Sequence, residues 1–298
     1  MSTPTIALVT AVAARDVDED LPPLESALRD AGAKVTLAEW DRPHDWSRFD
    51  VAILRSTWDY PQRLAEFFAW VKSVSQQTTL LNPLQIVKWN SGKHYLRDLA
   101  EKSVPTVPSK FVEPGELPDR QIAELLNEPD VREFVVKPAV GAGSRAAQRF
   151  GRDETEAAVR HAQHMLNDNR SVLLQPYLNK VDHLGETALL YFEGQFSHAI
   201  RKGPLLKRNE GPTTELFAKE SITARVPDAA ELKVAAQALQ AIPFETPLYA
   251  RVDLIRDQQG NPVVLELELI EPSLFFPFAP GSVDKFAAAV MKRALGKP

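Results

Sequence analysis

The chain has no cysteine in its 298 residues. Disulfide scaffolds, thiolate metal sites and cysteine nucleophiles are excluded with it. Glycine is also scarce, 13 residues against 23 prolines, the reverse of the usual order of roughly 7% and 5%. A glycine-poor backbone has few places to wrap closely round a ligand, so the position of any glycine pair is informative. No G-x-x-x-x-G-K-[ST] motif is present, and no G-x-G-x-x-G follows a strand. A P-loop and an ordinary dinucleotide fingerprint are therefore absent. There is no apolar run of about 18 residues, so no helical membrane span is expected. The first residues lack the basic and apolar regions of a secretion signal, and a cytoplasmic location is expected. Acidic residues outnumber basic ones, 40 to 35, for a net charge of −5. That balance argues against a general nucleic-acid binder.

What is present changes along the chain. All five tryptophans (Trp40, Trp46, Trp58, Trp70 and Trp89) fall in the first 89 residues, while carboxylate-rich strands lie at the other end. Strands are expected at Thr5–Thr10, Lys34–Trp40 and Val51–Leu54, with helices over Leu21–Ala31 and Gln62–Ser75 between and after them. Such alternation predicts a parallel, doubly wound sheet. A helix over Asn90–Ala100, capped by Ser91, opens the next region. It is followed by a helix over Glu116–Asn127, a strand Phe134–Lys137, a helix Asp153–Asn167 and a strand Val172–Gln175. Hairpins follow at Glu186–Phe192 with Gln195–Ile200 and at Leu248–Arg256 with Pro262–Leu269. A long polar loop spans Gly203–Ala224, and helices cover Ala229–Ala241 and Val283–Leu295.

Three groups of residues can carry chemistry. The glycine pair lies in Val140-Gly-Ala-Gly143-Ser-Arg145, directly after Lys137-Pro138. A strand delivering a lysine to a small-residue loop suits an anion, although an ordinary flexible loop reads the same way. In the last hairpin, Arg251 and Asp253 share one face and Glu266 and Glu268 share the facing one, with Leu265, Leu267 and Leu269 pointing away by period-two alternation. Three carboxylates on one patch are costly unless solvated or joined by a cation. Hard oxygen donors without histidine point to Mg²⁺ rather than Zn²⁺, while a merely wet charged face is the other reading. Finally, Arg55-Ser-Thr-Trp-Asp-Tyr60 follows a strand at the end where doubly wound sheets bind ligands. Arg55 and Asp59 could pair with the carboxylate and ammonium of an amino acid, or the segment could be a capping turn. His161 and His164 fit a solvated helix face better than a metal site.

Taken in chain order, these pieces resemble the ATP-grasp superfamily over roughly residues 85 to 298. Lys93, in Lys88-Trp-Asn-Ser-Gly-Lys-His-Tyr95, stands where that family has its first nucleotide lysine, opening a helix, and Lys137 where it has the second. Gly141, Gly143 and Ser144 match its phosphate loop. Gln175, Pro176, Tyr177 and Leu178 match the strand whose backbone reads adenine, and Glu186 the acid that binds ribose. Asp253, Glu266 and Glu268 match its metal ligands, with Glu268 where many members have asparagine. The fold class implied is α/β plus α+β: a doubly wound pre-ATP-grasp subdomain over 1–85, then a two-part ATP-grasp fold over 86–175 and 176–298. Leu54-Arg-Ser-Thr-Trp-Asp-Tyr60, Ser197-His-Ala-Ile-Arg-Lys202 and Leu265-Glu-Leu-Glu-Leu-Ile-Glu-Pro-Ser-Leu274 are similar to the cycloserine-biosynthesis branch, the O-ureido-serine cyclo-ligases.

That resemblance implies an ATP-dependent, ADP-forming ligase that makes a C–N bond through an acyl phosphate, with ATP and two Mg²⁺ ions as cofactors. Phosphoryl transfer of this kind relies on charge neutralisation and positioning. Arg201, Lys202 and Arg251 would stabilise the transferring group, and Arg55, Ser56, Trp58, Asp59 and Tyr60 would contact the substrate. The Gly203–Ala224 loop would serve as a lid. The expected partner is a small amino-acid-like molecule, with no nucleic acid and no membrane, and a homodimer is the assembly to test. An intermolecular amino-acid or peptide ligase, like glutathione-synthetase relatives, and a non-catalytic nucleotide-binding regulator are the alternatives.

Overall fold

Residues 5–81 form a parallel four-stranded sheet in a computed structural model of the chain, which describes residues 3–208, 211 and 221–296. The elements are β1 (Thr5–Thr10), α1 (Leu21–Asp30), β2 (Lys34–Glu39), β3 (Val51–Ser56), α2 (Leu64–Val74) and β4 (Thr79–Leu81). The strand order is β2-β1-β3-β4; all pairs are parallel, as the strand–helix alternation predicts, and β4 adds a strand beyond the three expected. β1 and β3 are buried along nearly their whole length, which is why they read as continuous apolar runs. The tryptophan-rich side forms one cluster, in which Trp40, Trp46 and Trp70 meet Phe67 and Tyr60.

Two short helices follow, α3 (Leu84–Asn90) and α4 (Tyr95–Glu101). The sequence predicts one helix over Asn90–Ala100 capped by Ser91. Instead, the chain breaks between Asn90 and Tyr95, because the Lys93 N–H is drawn away to the Ala139 carbonyl at 2.8 Å. Ser91 closes the end of α3 instead, bonding the Lys88 carbonyl. The second sheet contains β5 (Lys110–Val112), β6 (Glu133–Pro138), β7 (Gln148–Gly151) and β8 (Val172–Pro176), in the antiparallel order β5-β8-β6-β7. α5 (Pro118–Leu126) and α6 (Thr155–Asn167) pack on it through Ile122, Leu125, Ala158 and Met165.

α7 (Val181–Leu184) leads into β9 (Glu186–Phe192), β10 (Gln195–Lys202) and β11 (Ile222–Arg225); α8 (Ala229–Gln240), β12 (Tyr249–Arg256), β13 (Pro262–Glu268) and α9 (Ser282–Ala294) complete the chain. The third sheet is antiparallel, in the order β11-β10-β9-β12-β13. One face is covered by α3, α4 and α8, which share a core with Leu189, Val252 and Leu267. The other meets α9, whose fully buried Phe286 touches Phe192 and Tyr249 while the same helix packs against α1. Burying one such phenylalanine is worth roughly 1.5–3 kcal/mol, so α9 contributes to joining the first sheet to the third.

Asparagines fix the remaining geometry. Asn82 donates to the Tyr249 and Leu269 carbonyls and accepts the Leu248 N–H. Asn90 accepts from Leu269 N–H and donates to the Leu267 carbonyl, and the Tyr95 hydroxyl accepts the Leu267 N–H. These bonds satisfy the free edge of β13 and set its register beside Glu266 and Glu268. Part of the loop expected at Gly203–Ala224 forms β11, and half of the segment read as a lid, residues 209–210 and 212–220, lies outside the described residues.

Candidate active site

A cavity of about 560 Å³ opens where the three sheets meet, within the size range of small-molecule sites. One end is lined by Gln175, Pro176, Tyr177 and Leu178 from the end of β8, and by Glu186 at the start of β9. The Tyr177 N–H is already donated to the Glu133 carbonyl at 2.8 Å. Arg149 lies over the Tyr177 ring, 3.5 Å from its centroid, and is itself held by Glu133 and Asp182. Leu265 joins this end, packing with Leu178, Val181 and Ile255. Period-two alternation puts Leu265 on the opposite face, but β13 carries a bulge there: Asp253 faces Glu266 while Leu254 faces Val264. The extra residue breaks the alternation and turns Leu265 to the cavity side.

The loop Gly141–Arg145 covers the middle of the cavity. Gly143 has φ +63°, and a Cβ at Gly141 would lie 3.1 Å from Pro138 Cγ, so both glycines suit their positions. Lys93 Nζ donates to the Gly141 carbonyl at 3.0 Å and lies 3.7 Å from Glu266 Oε1. Lys137 Nζ donates to the same Glu266 oxygen at 2.9 Å. Two lysines from different parts of the chain thus share one carboxylate. Burial, helped by the like charge of Lys93, pulls Lys137 below its ordinary pKa, while Glu266 opposes the fall.

The third wall is the β12–β13 ladder. Arg251 stands opposite Glu268 and Asp253 opposite Glu266, a pairing set by the register shift between Asp253 and Leu254, and the acids gather on one patch as expected. Arg251 Nε donates to Asp253 Oδ1 at 2.9 Å, and Arg251 also pairs with Glu268. Lys202 donates to Asp253 Oδ2 at 2.8 Å and pairs with Glu186. Asp253 is 1% exposed; burial works against its charge, yet Arg251 and Lys202 hold it well below the usual carboxylate range. Glu268 moves the other way, pushed up to about 6 by burial and by the charges of Asp253 and Glu266. Among the described residues, no three His, Asp or Glu side chains come together as a ready-made metal cluster. Glu266 and Glu268 line the cavity with hard oxygen donors that fit Mg²⁺, whereas Asp253 lies behind them among cations.

Several expected site residues face elsewhere. Arg201 alternates away from Lys202 on β10, and its guanidinium donates to the His183 and Leu184 carbonyls. Arg55, 1% exposed, crosses beneath the cavity to the Pro272 carbonyl at 2.7 Å and lies over the Tyr249 ring. Ser56 is buried against Thr10 at 2.8 Å. Asp59 accepts from Trp40 Nε1 at 2.8 Å and pairs with Arg63. Only Trp58 and Tyr60 of that segment line the cavity. Of the two histidines on α6, His164 is exposed, but His161 is half-buried and donates to the Ala146 carbonyl.

The wall near Trp58 contains acids that sequence reading missed, Asp18 and Glu271, and Asp20, which accepts the N–H groups of Leu274, Phe275 and Phe276. No local pattern marks Asp18 or Asp20; Glu271 stands three residues beyond Glu268, inside the Leu265–Leu274 segment that resembles the cycloserine-biosynthesis branch.

Comparison with known proteins identifies the family and the fold. The family model described as D-cycloserine synthetase DcsG, N-terminal domain, matches residues 6–82. The cycloserine biosynthesis protein DcsG of Streptomyces lavendulae is 40% identical over 295 residues, 97% of this chain and 98% of that protein. The crystal structure of D-cycloserine synthetase DcsG superposes with a TM-score of 0.91 at 39% identity, covering 97% of this chain and 99% of that one. The ATP-grasp ligase PsnB, solved with a phosphomimetic variant of its minimal precursor, Mg and ADP, shares the fold at a TM-score of 0.67 and 15% identity, over 98% of this chain and 100% of its own. The chain belongs to the D-cycloserine synthetase DcsG family and is an ATP-dependent ligase of the ATP-grasp superfamily.

Proposed function

We propose that the chain activates the carboxylate of an O-ureido-serine-like amino acid with ATP and closes it to the cycloserine ring. The observation that supports this most is the sharing of Glu266 by Lys93 and Lys137 in a cavity that ends at Gln175–Leu178. In this reading the adenine lies along Gln175, Pro176, Tyr177, Leu178 and Leu265, with Glu186 at the ribose. Lys93 and Lys137 hold the α- and β-phosphates beneath Gly141, Gly143 and Ser144. Bound Mg²⁺, as two ions, supplies charge neutralisation on the phosphate oxygens, with Glu266 and Glu268 as its holders and Asp253 behind them. A substrate carboxylate oxygen attacks the γ-phosphorus, ADP leaves, and an acyl phosphate forms. The ureido nitrogen bonded to oxygen then attacks the acyl carbon, and the acyl C–O bond to phosphate breaks. Hydrolytic loss of the carbamoyl group completes cycloserine. Arg251 and Lys202 balance the charge on the transferring phosphoryl group. Arg201 has no part, since its guanidinium is held by the His183 and Leu184 carbonyls.

ADP release with O-ureido-D-serine, its L-isomer and a panel of amino acids tests the reading, with the product identified by chromatography. Turnover of O-ureido-serine alone to cycloserine is expected. Turnover only after an amine partner is added would make the enzyme an intermolecular ligase. ATP binding without phosphate release across the panel would favour a nucleotide-binding regulator.

A further inference from the structure

We infer that Glu271 is the counter-ion of the substrate's amino group; this rests on the amino-acid reading just given. The segment after β13 is held from both sides. Trp58 Nε1 donates to the Glu271 carbonyl at 3.0 Å and Arg55 Nη2 to the Pro272 carbonyl at 2.7 Å. Asp20 fixes the next turn through the N–H groups of Leu274, Phe275 and Phe276 at 2.5, 3.1 and 3.0 Å. Glu271 therefore lines the cavity from a backbone that is tethered on both sides.

Its carboxyl has no hydrogen bond or ion pair among the described residues, unlike Asp253, Glu266 and Glu268. The charges that reach it are Glu268 from β13, Lys93 ahead of α4, Arg251 from β12 and Arg55 from β3. Tyr60 also faces it, and the Tyr60 hydroxyl is pushed up by burial and then by Glu271. A partly buried carboxyl beside a like charge is costly, and a cation placed there removes that cost.

A second observation points to the same end of the cavity. Asp18 is 5% exposed, lines the cavity, and has a buried Oδ2 with no hydrogen-bond partner among the described residues. Its opposite charge comes from Arg55, within electrostatic reach of both acids. Asp59, the acid expected from sequence to meet the ammonium, is already held by Trp40 and Arg63.

An α-amino acid carries its ammonium and carboxylate on one carbon. Glu271 and Arg251 offer the matching pair of charges on adjoining walls of the cavity. An ammonium held at Glu271 leaves the carboxylate on the Arg251 side, where the phosphoryl group arrives in the proposed reaction.

The test compares wild type, Glu271→Gln and Glu271→Asp on O-ureido-serine and on its desamino analogue, 3-(ureidooxy)propanoate. Wild type is expected to prefer the amino compound, and Glu271→Gln to lose roughly 100-fold in kcat/KM on it, mainly through KM. The glutamine variant should treat the two compounds alike, keep the wild-type KM for ATP, and melt no lower than wild type. Glu271→Asp should restore part of the preference for the amino compound. A glutamine variant that keeps the wild-type preference would overturn the inference, as would one whose defect lies in ATP or Mg²⁺ dependence. Wild type inactive on O-ureido-serine would overturn the functional reading, and this inference with it.

Discussion

Charge is arranged differently on the two walls of the cavity. On the β12–β13 wall, Asp253, Glu266 and Glu268 each have a lysine or arginine within bonding distance. On the wall built from Asp18, Trp58, Tyr60 and Glu271, the acids that line the cavity lack hydrogen-bonded cations, while Arg55 and Asp59 are turned into the fold. The first wall can hold a polyanion by exchanging partners: lysines released from Glu266 become available to phosphates. The second can hold a cation without displacing any internal one. An amino acid and a nucleotide triphosphate need walls of these two kinds, and the contrast can be broken from either side.

The largest effect is expected at Glu266→Gln. The substitution keeps the shape but removes the charge that Lys93 and Lys137 share. ADP release should fall by roughly 10²–10³-fold, the scale for removing one electrostatic group from a reacting site. Near-wild-type turnover would remove Glu266 from the machinery.

Arg55→Ala comes next and acts on stability. The guanidinium is almost completely buried, bonds the Pro272 carbonyl and lies 5.4 Å from the centroid of the Tyr249 ring. Its loss leaves Asp18 without its nearest opposite charge, and breaking such a buried set costs ~3 kcal/mol or more. At about 2–4 °C per kcal/mol, the melting temperature should fall by roughly 6–12 °C. A variant that melts like wild type but binds substrate poorly would return Arg55 to the role of a direct contact.

These two residues also mark what was legible in the sequence. Alternation within each strand puts Arg251 with Asp253 and Glu266 with Glu268, but the register shift between Asp253 and Leu254 is what sets the two pairs opposite each other. The same rule missed Leu265, because the bulge that turns it is set by pairing with β12. The Arg55–Tyr60 segment was found in the right place, at the end of β3, but the direction of each side chain depends on partners more than 200 residues away in sequence, such as Glu271 and Pro272. The parallel character of the first sheet was legible for the opposite reason, since strand–helix alternation demands crossovers, whereas its strand order and the short β4 carry no local mark. The break between α3 and α4 was not, because it arises from the bond between Lys93 and Ala139.

A smaller effect is expected at Asp20→Asn, which sharpens the difference between an acid that binds backbone and one that faces the cavity. The Asp20 carboxylate uses both oxygens on three N–H groups. An amide offers one acceptor and sets a donor against a donor, a loss of ~1–3 kcal/mol. Chemical denaturation should register that loss as a lower midpoint. Faster amide exchange at Leu274 and Phe275 should accompany it, and unchanged exchange there would refute the tether.

The smallest effect is a dependence on pH that only the uncompensated wall should show. Burial, followed by the charge of Glu268, pushes Glu271 up to about 8 from an ordinary value of 4.5. The folded state then binds a proton that the unfolded chain has already lost across that interval. Stability from this group is fully present below about 4.5 and is lost as pH rises towards 8. The sign is opposite for Asp253, whose pKa is depressed by Arg251 and Lys202 and which loses its contribution only in acid. The melting temperatures of wild type and Glu271→Gln, measured at intervals from pH 5 to 9 without substrate, isolate the contribution of Glu271. The two should nearly coincide at pH 5, and wild type should fall progressively below the variant towards pH 8. A saturating amino-acid substrate should close that gap, because its ammonium compensates the carboxylate. Parallel curves across the whole range would show that Glu271 is compensated in the folded chain, and the distinction between the two walls would fail.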